Sequence, residues 1–262
     1  MATKKQPLNN PLNDRVAFIT GGATGIGYGI AHYYAQLGAK VMIASRNKDN
    51  LSKAAKAISK TKGKVSYLQL DVRDYTAVEA AIAETVENYG GLDILINNAA
   101  GNFVCPTAEL SANAWKTVID IDLNGTFYCC KAAFQALAGS RFGGRIINIT
   151  MTRTVRGWPG CAHAAAAKSG ILSLTRTLAV EWGSLGIRVN AIAPGLIANT
   201  EGAERLVEQQ GKMAQALAGI PLGRLGETQD IANMAVFLAS PAADHINGAE
   251  FTVDGGQAWS SS

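Results

Sequence analysis

The segment TGGATGIG sets Gly21, Gly25 and Gly27 in a GxxxGxG spacing directly after the apolar run RVAFIT, and it opens a helix-length stretch. Glycines at such a junction let backbone N–H groups approach an oxyanion closely, and the partial positive charge of a helix start favours the anion. The chemistry on offer is pyrophosphate binding. A glycine turn with no ligand has the same composition, but a strand before it, a helix after it and its place on the first strand favour the nucleotide site. At the end of the second apolar run stand Ser45 and Arg46, with Lys48 close behind. A carboxylate there would suit the ribose hydroxyls of NAD and repel a 2′-phosphate, whereas a hydroxyl and a guanidinium bind one. Ser45 and Arg46 therefore predict NADPH over NADH; the plainer reading of Arg46 is a solvated charge.

Elements that can hold these residues follow from periodicity. Residues 15–20, 40–45, 64–70, 92–97, 144–150 and 187–193 are short runs rich in β-branched residues and bounded by Gly, Asp or Asn, the pattern of buried parallel strands; FTVDGG near the end reads as a seventh. Between them lie helix-length segments such as 26–37, 48–59, 76–89 and 164–183. Strand–helix alternation with right-handed crossovers predicts an α/β fold, a doubly wound Rossmann-type, mainly parallel seven-stranded sheet with helices on both faces. No repeat or linker divides the chain, so residues 15–262 are read as one domain behind a flexible lead-in, 1–14. The long connection at about 195–222 leaves the carboxyl end of a strand, where open α/β sheets bind ligands, and is expected to be a substrate lid.

Composition narrows the classes. Of 262 residues 48% are apolar and 17% charged, enough for a sizeable core and too little charge for disorder. The net charge of +4 is spread along the chain, not gathered into a basic stripe, so neither nucleic acid nor a membrane is expected as a partner. Cys105, Cys129, Cys130 and Cys161 form no CxxC pair, which argues for reduced thiols and against a metal site. The first fourteen residues lack an apolar signal core, and the final Trp-Ser-Ser-Ser is no peroxisomal tripeptide, so a cytoplasmic location is expected.

These segments resemble the short-chain dehydrogenase/reductase family over essentially the whole chain after residue 14. TGGATGIG looks like its cofactor motif, Asp71-Val72 like its adenine contact, the stretch Asn97-Asn98-Ala99-Ala100-Gly101 like its NNAG strand end, and Pro194-Gly195 like its nicotinamide-side loop. The resemblance implies cofactor contacts from Gly21, Thr24, Gly25, Ile26 and Gly27, from Ser45 and Arg46, from Asp71 and Val72, from Asn98, Ala99 and Ala100, from Lys168, and from Pro194, Gly195 and Ile197. Members that reduce carbonyls use Asn, Ser and a YxxxK pair on one helix face. Here Asp122 stands at the Asn position, Met151 at the Ser and Ala164 at the Tyr; Lys168 alone is retained, and no tyrosine follows Tyr128. His163 is the nearest polar neighbour, but one helical step turns it by about 100°, and a helix-start histidine with a backbone or water partner is the plainer reading.

The departures resemble one branch, the peroxisomal-type 2,4-dienoyl-CoA reductases, as do AAGNFVCP, TVIDIDLNGTF, NIT and HAAAAK. That resemblance implies NADPH-dependent reduction of a 2,4-dienoyl-CoA to a 3-enoyl-CoA in unsaturated fatty acid degradation, with Asp122 and Lys168 catalytic and an acyl-CoA thioester as substrate. Phe103 is a candidate for the acyl chain and Arg205 for coenzyme A phosphates, with a core aromatic and a solvated charge as the plainer readings; Arg153 and Arg156 are similarly open. Analogy with family tetramers suggests a homo-oligomer, tetramer or dimer, packed through small residues at 164–167. The alternatives are an atypical carbonyl or enoyl reductase acting on acyl carrier protein thioesters, and an inactive NADPH-binding protein.

Overall fold

The apolar runs pair as seven parallel strands in the order β3-β2-β1-β4-β5-β6-β7, in a computed structural model that describes residues 10–61, 63–152, 157–204 and 213–260. In chain order these are β1 (Val16–Thr20), β2 (Lys40–Ser45), β3 (Val65–Gln69), β4 (Ile94–Asn97), β5 (Arg145–Ile149), β6 (Arg188–Pro194) and β7 (Glu250–Val253). The central strands β1, β4 and β5 are buried at every position, as strands covered on both faces must be. β3, at the edge, is only half-buried.

Helices cover the sheet: α1 (Gly25–Gln36), α2 (Lys48–Ile58), α3 (Tyr75–Tyr89), α4 (Ala112–Ile119), α5 (Gly125–Ala138), α6 (Ala162–Trp182), the short α7 (Glu201–Ala203) and α8 (Met213–Ala218), and α9 (Thr228–Ala239). Local chemistry sets several boundaries. Asn47 caps α2 by accepting from the Asn50 N–H at 2.9 Å, Asp74 caps α3 through the Ala77 N–H at 3.0 Å, and Gly90 ends α3 in the left-handed region at φ 84°. One core, around Ile19, Ile43 and Ile96, joins the sheet to α1 and α9. The other, around Phe18, Leu95 and Cys130, joins it to α3 and α5.

Two expectations change. Residues 10–14 form a turn in which Leu12 is fully buried against the first core, so these five residues pack with the domain; residues 1–9 lie outside the described residues. The stretch after β6 is not featureless, since it carries α7 and α8; residues 205–212 lie outside the described residues. The strand order reverses between β1 and β4, and the crevice at their carboxyl ends is where this topology places a ligand.

Candidate active site

A cavity of about 820 Å³ opens at that crevice. Its floor is tied together by side chains of the two strands that diverge there. Asn98 Nδ2 donates to the carbonyls of Thr20 and Gly21 at 3.1 and 3.2 Å, while Thr20 Oγ1 accepts the N–H groups of Asn98 and Ala99, both at 3.0 Å. Behind it, Asn97 Nδ2 donates to Asn148 Oδ1, and Asn148 Nδ2 to Thr175 Oγ1, each at 2.8 Å. Strands β4 and β5 and helix α6 are thereby locked in one register beneath the cavity.

The glycine loop lies along one wall. Gly21, Thr24 and Ile26 line the cavity; Gly25 and Gly27 shape the loop without lining it. Gly27 is required by close approach, because a Cβ there would overlap the Gly21 carbonyl and sit 2.5 Å from Asn98 Nδ2. The Thr24 side chain makes no capping hydrogen bond to α1, so the first N–H groups of that helix stay free for an anion. Ser45 and Arg46 stand at the mouth with Asn47 and Asn50, and Arg46 is exposed. Asp71 and Val72 line the same end; the carboxylate of Asp71 is clamped by Arg73 at 2.5 to 3.1 Å, which holds it well below the usual aspartate range. Asn98, Ala99, Ala100, Pro194, Gly195 and Ile197 complete the expected set, all on the cavity wall. A glycine cradle, open N–H groups and an exposed guanidinium at the mouth fit a nicotinamide dinucleotide.

Asp122 and Lys168 meet at the inner end. Asp122 sits in a π-helical turn, Asp120–Asn124, wedged between α4 and α5. This wider turn re-aims one residue within a helix, a common device at functional positions. The carboxylate is 1% exposed; Oδ1 accepts the Gly101 N–H at 2.7 Å, and Oδ2 lies 3.5 Å from Lys168 Nζ. Lys168 donates to the Ile149 carbonyl at 2.9 Å, which fixes its ammonium. Burial pushes the Asp122 carboxyl above its ordinary range, opposed first by Lys168, then by the Gly101 N–H and His163. Ala164 and Met151 line the cavity beside this pair and bring no polar side-chain hydrogen. All seven tyrosines of the sequence are among the described residues, and none lines the cavity.

Other expected residues fall elsewhere. Phe103 does not line the cavity; its ring packs on His163 at 4.4 Å between centroids, since the buried imidazole offers it a flat face. Of the backbone or water partner expected for His163, the backbone one is not found: the ring is fully buried and neither nitrogen has a hydrogen-bond partner among the described residues. Arg205, Arg153 and Arg156 lie outside the described residues. Ala164 and Ala167 are buried within their own chain, whereas Ala165 is half-buried and Ala166 exposed, so half of the small-residue stretch at 164–167 is turned inward. Cys129, Cys130 and Cys161 fill space, and burial pushes the Cys130 thiol up to about 12, leaving it inert at neutral pH. Sequence reasoning missed Trp158, Thr200 and Gln257 on the wall; each follows a Gly or lies in a loop, where no periodicity points inward.

Known proteins place this geometry. Residues 21–258 match a family model described as enoyl-(acyl carrier protein) reductase. A probable 2,4-dienoyl-CoA reductase, (2E)-enoyl-CoA-producing, of Bacillus subtilis is 48% identical over 94% of this chain and 97% of that protein. A peroxisomal 2,4-dienoyl-CoA reductase, (3E)-enoyl-CoA-producing, of Danio rerio is 45% identical over 95% and 82%. The crystal structure of a short chain dehydrogenase from Bacillus anthracis superposes with a TM-score of 0.85 at 44% identity, covering 96% of this chain and 99% of that one.

Proposed function

The chain belongs to the short-chain dehydrogenase/reductase family of oxidoreductases, and on that footing we propose that it reduces 2,4-dienoyl-CoA thioesters to 3-enoyl-CoA with NADPH, in unsaturated fatty acid degradation. The observation that carries this reading is a cavity with Asp122 and Lys168 3.5 Å apart and no tyrosine on its wall. Reduction of a ketone leaves a localised alkoxide, which needs a positioned acid as it forms. Reduction at C5 of a conjugated dienoyl thioester leaves a dienolate, whose charge is spread from the thioester oxygen to C4 and tolerates protonation at carbon by water. Ala164 and Met151 serve the second reaction and fail the first.

Membership of the family implies a nicotinamide cofactor, which supplies the hydride when bound. Its pyrophosphate would rest on Gly21, Thr24 and Ile26, its 2′-phosphate on Ser45 and Arg46, its adenine beside Asp71 and Val72, and its nicotinamide half against Lys168, Pro194, Gly195 and Ile197. Lys168, fixed by the Ile149 carbonyl, keeps the field around the site positive and favours the ionised form of Asp122. Asp122, fixed in turn by the Gly101 N–H, orients the water that gives its proton to C2. The substrate is a coenzyme A thioester, with the acyl chain toward Met151 and Trp158 on the cavity wall; Arg205 stays the candidate for its phosphates and lies outside the described residues.

The two relatives are named for different products, and these differ in which carbon of the dienolate takes the proton: C2 gives a 3-enoyl thioester, C4 a 2-enoyl thioester. Reaction of 2,4-hexadienoyl-CoA with NADPH in deuterated water separates them. The proposal expects one deuterium at C2 of 3-hexenoyl-CoA. Deuterium at C4 of 2-hexenoyl-CoA would move the protonating water to the other end of the anion. Turnover of crotonyl thioesters of acyl carrier protein with the dienoyl-CoA untouched would favour the reading that the family model's description suggests.

A further inference from the structure

His163 opens α6 one residue before the cavity wall, and its imidazole is the buried polar group for which the chemistry above has no use. A neutral imidazole carries one donor and one acceptor, and neither is matched here among the described residues. Such groups are costly to bury, and structures that keep them use them at a site. The ring is held, not loose. Phe103 stacks on it at 4.4 Å and 35°, and the Phe103 carbonyl in turn accepts from Cys161 Sγ at 3.6 Å, pinning the loop to the start of α6. Two residues earlier that loop presents the Gly101 N–H to Asp122 Oδ1. A continuous path thus runs from imidazole to aromatic ring to backbone to carboxylate.

The charges act in the same sense. Asp122 draws the imidazole toward protonation, against the stronger effect of burial, and the protonated ring in turn favours ionised Asp122. On Asp122, Lys168 from further along α6 acts more strongly in the same sense. The neighbouring Cys161 thiol is occupied by the Phe103 carbonyl. His163 itself does not line the cavity, so it has no contact with substrate.

We propose that His163 is a positioning residue for proton delivery: it acts on Asp122, through the 101–103 loop and across the space between them, and fixes the carboxylate that holds the protonating water. The inference rests on the reading of Asp122 given above. His163→Phe keeps the ring stack and removes the polar atoms. It should lower kcat for 2,4-hexadienoyl-CoA about tenfold, with KM for both substrates within about twofold, because proton delivery and not binding is affected. The acidic limb of its kcat–pH profile should move to higher pH, since one influence favouring ionised Asp122 is gone. His163→Gln, which restores a donor and an acceptor, should recover much of kcat. A His163→Phe enzyme with unaltered kcat and an unmoved limb overturns the proposal, even if its Tm changes.

A second measurement stands if that variant does not fold or if the dienoyl reading itself fails. The chain has three histidines, so their titrations can be followed by NMR in labelled protein. The His163 signal should titrate at lower pH in Asp122→Asn than in the wild type, because the charge that favours imidazolium is lost. An unchanged His163 titration removes the coupling and the proposal with it, whatever the substrate proves to be.

Discussion

Asp122 holds an electrostatic conflict that catalysis must display. Its ionised form orients water and exists only above its pKa, which burial raises from the ordinary 3.8. Activity should therefore fall on the acidic side at a higher pH than a free aspartate would give. Lys168→Met removes the strongest influence opposing that rise, so the acidic limb of kcat should move further up while kcat drops; an unmoved limb in the kcat–pH profile would take the proton step away from Asp122. At the cavity mouth, Arg46→Ala should raise KM for NADPH about tenfold or more, the usual worth of one charge-assisted phosphate contact, and leave KM for NADH nearly as it was. Ser45, Arg46 and the AAAAK stretch were legible in the sequence because they are statements about which side chain is present. The environment of His163 was not: its missing partners depend on Phe103 folding back across α6, sixty residues away in the chain.

The turn that presents Asp122 is a further case of structure hidden behind an ordinary pattern. IDIDLNGTF carries no local mark of the π turn it forms, which is set by tertiary contacts: Oδ1 on the Gly101 N–H, and Gly125, where a Cβ would stand 2.7 Å from Val72 Cγ2. Gly125→Ala should push α5 off Val72 and displace Asp122, giving a loss of kcat larger than the loss of Tm suggests. The first six strands and the helices α1, α2, α3 and α6 were readable within one or two residues, because apolar runs, Asn and Asp caps and terminal glycines are local signals, while the seventh strand, read as FTVDGG, ends three residues earlier at Val253. The short α7 and α8, in the stretch read as an irregular lid, were not, for six residues or fewer carry no periodicity. The loop into α1 makes the sharpest test of an element read correctly. Gly27→Ala meets the Gly21 carbonyl and Asn98, so dinucleotide binding measured by calorimetry should fall at least about tenfold, and a binding constant equal to the wild type would deny that this loop is the cradle.

The molecule as a whole is a single sheet whose strand order, not its surface, locates the site: the cavity lies where β1 and β4 part, and both flanks must be intact for it to exist. Among the described residues no helix is long and apolar enough to cross a membrane. Trp115 on α4, Phe127 on α5 and Val180 on α6 nevertheless expose 40, 43 and 85% of their surface. Apolar side chains so placed on neighbouring helices suit a homo-oligomer. Light scattering should return a mass two or four times the 27.4 kDa of the chain, and a monomer at micromolar concentration would contradict that. What the enzyme does is decided by its choice between two kinds of anion. NADPH oxidation followed side by side with 2,4-hexadienoyl-CoA and acetoacetyl-CoA, in the wild type and in Asp122→Asn, reads that choice. The dienoyl thioester should be preferred in kcat/KM by about a thousandfold or more, the scale of an absent general acid, and the preference should collapse in Asp122→Asn. Comparable reduction of the ketoester by the wild type, or a variant as fast as its parent, would show that a phenol-free pocket is not what selects the substrate.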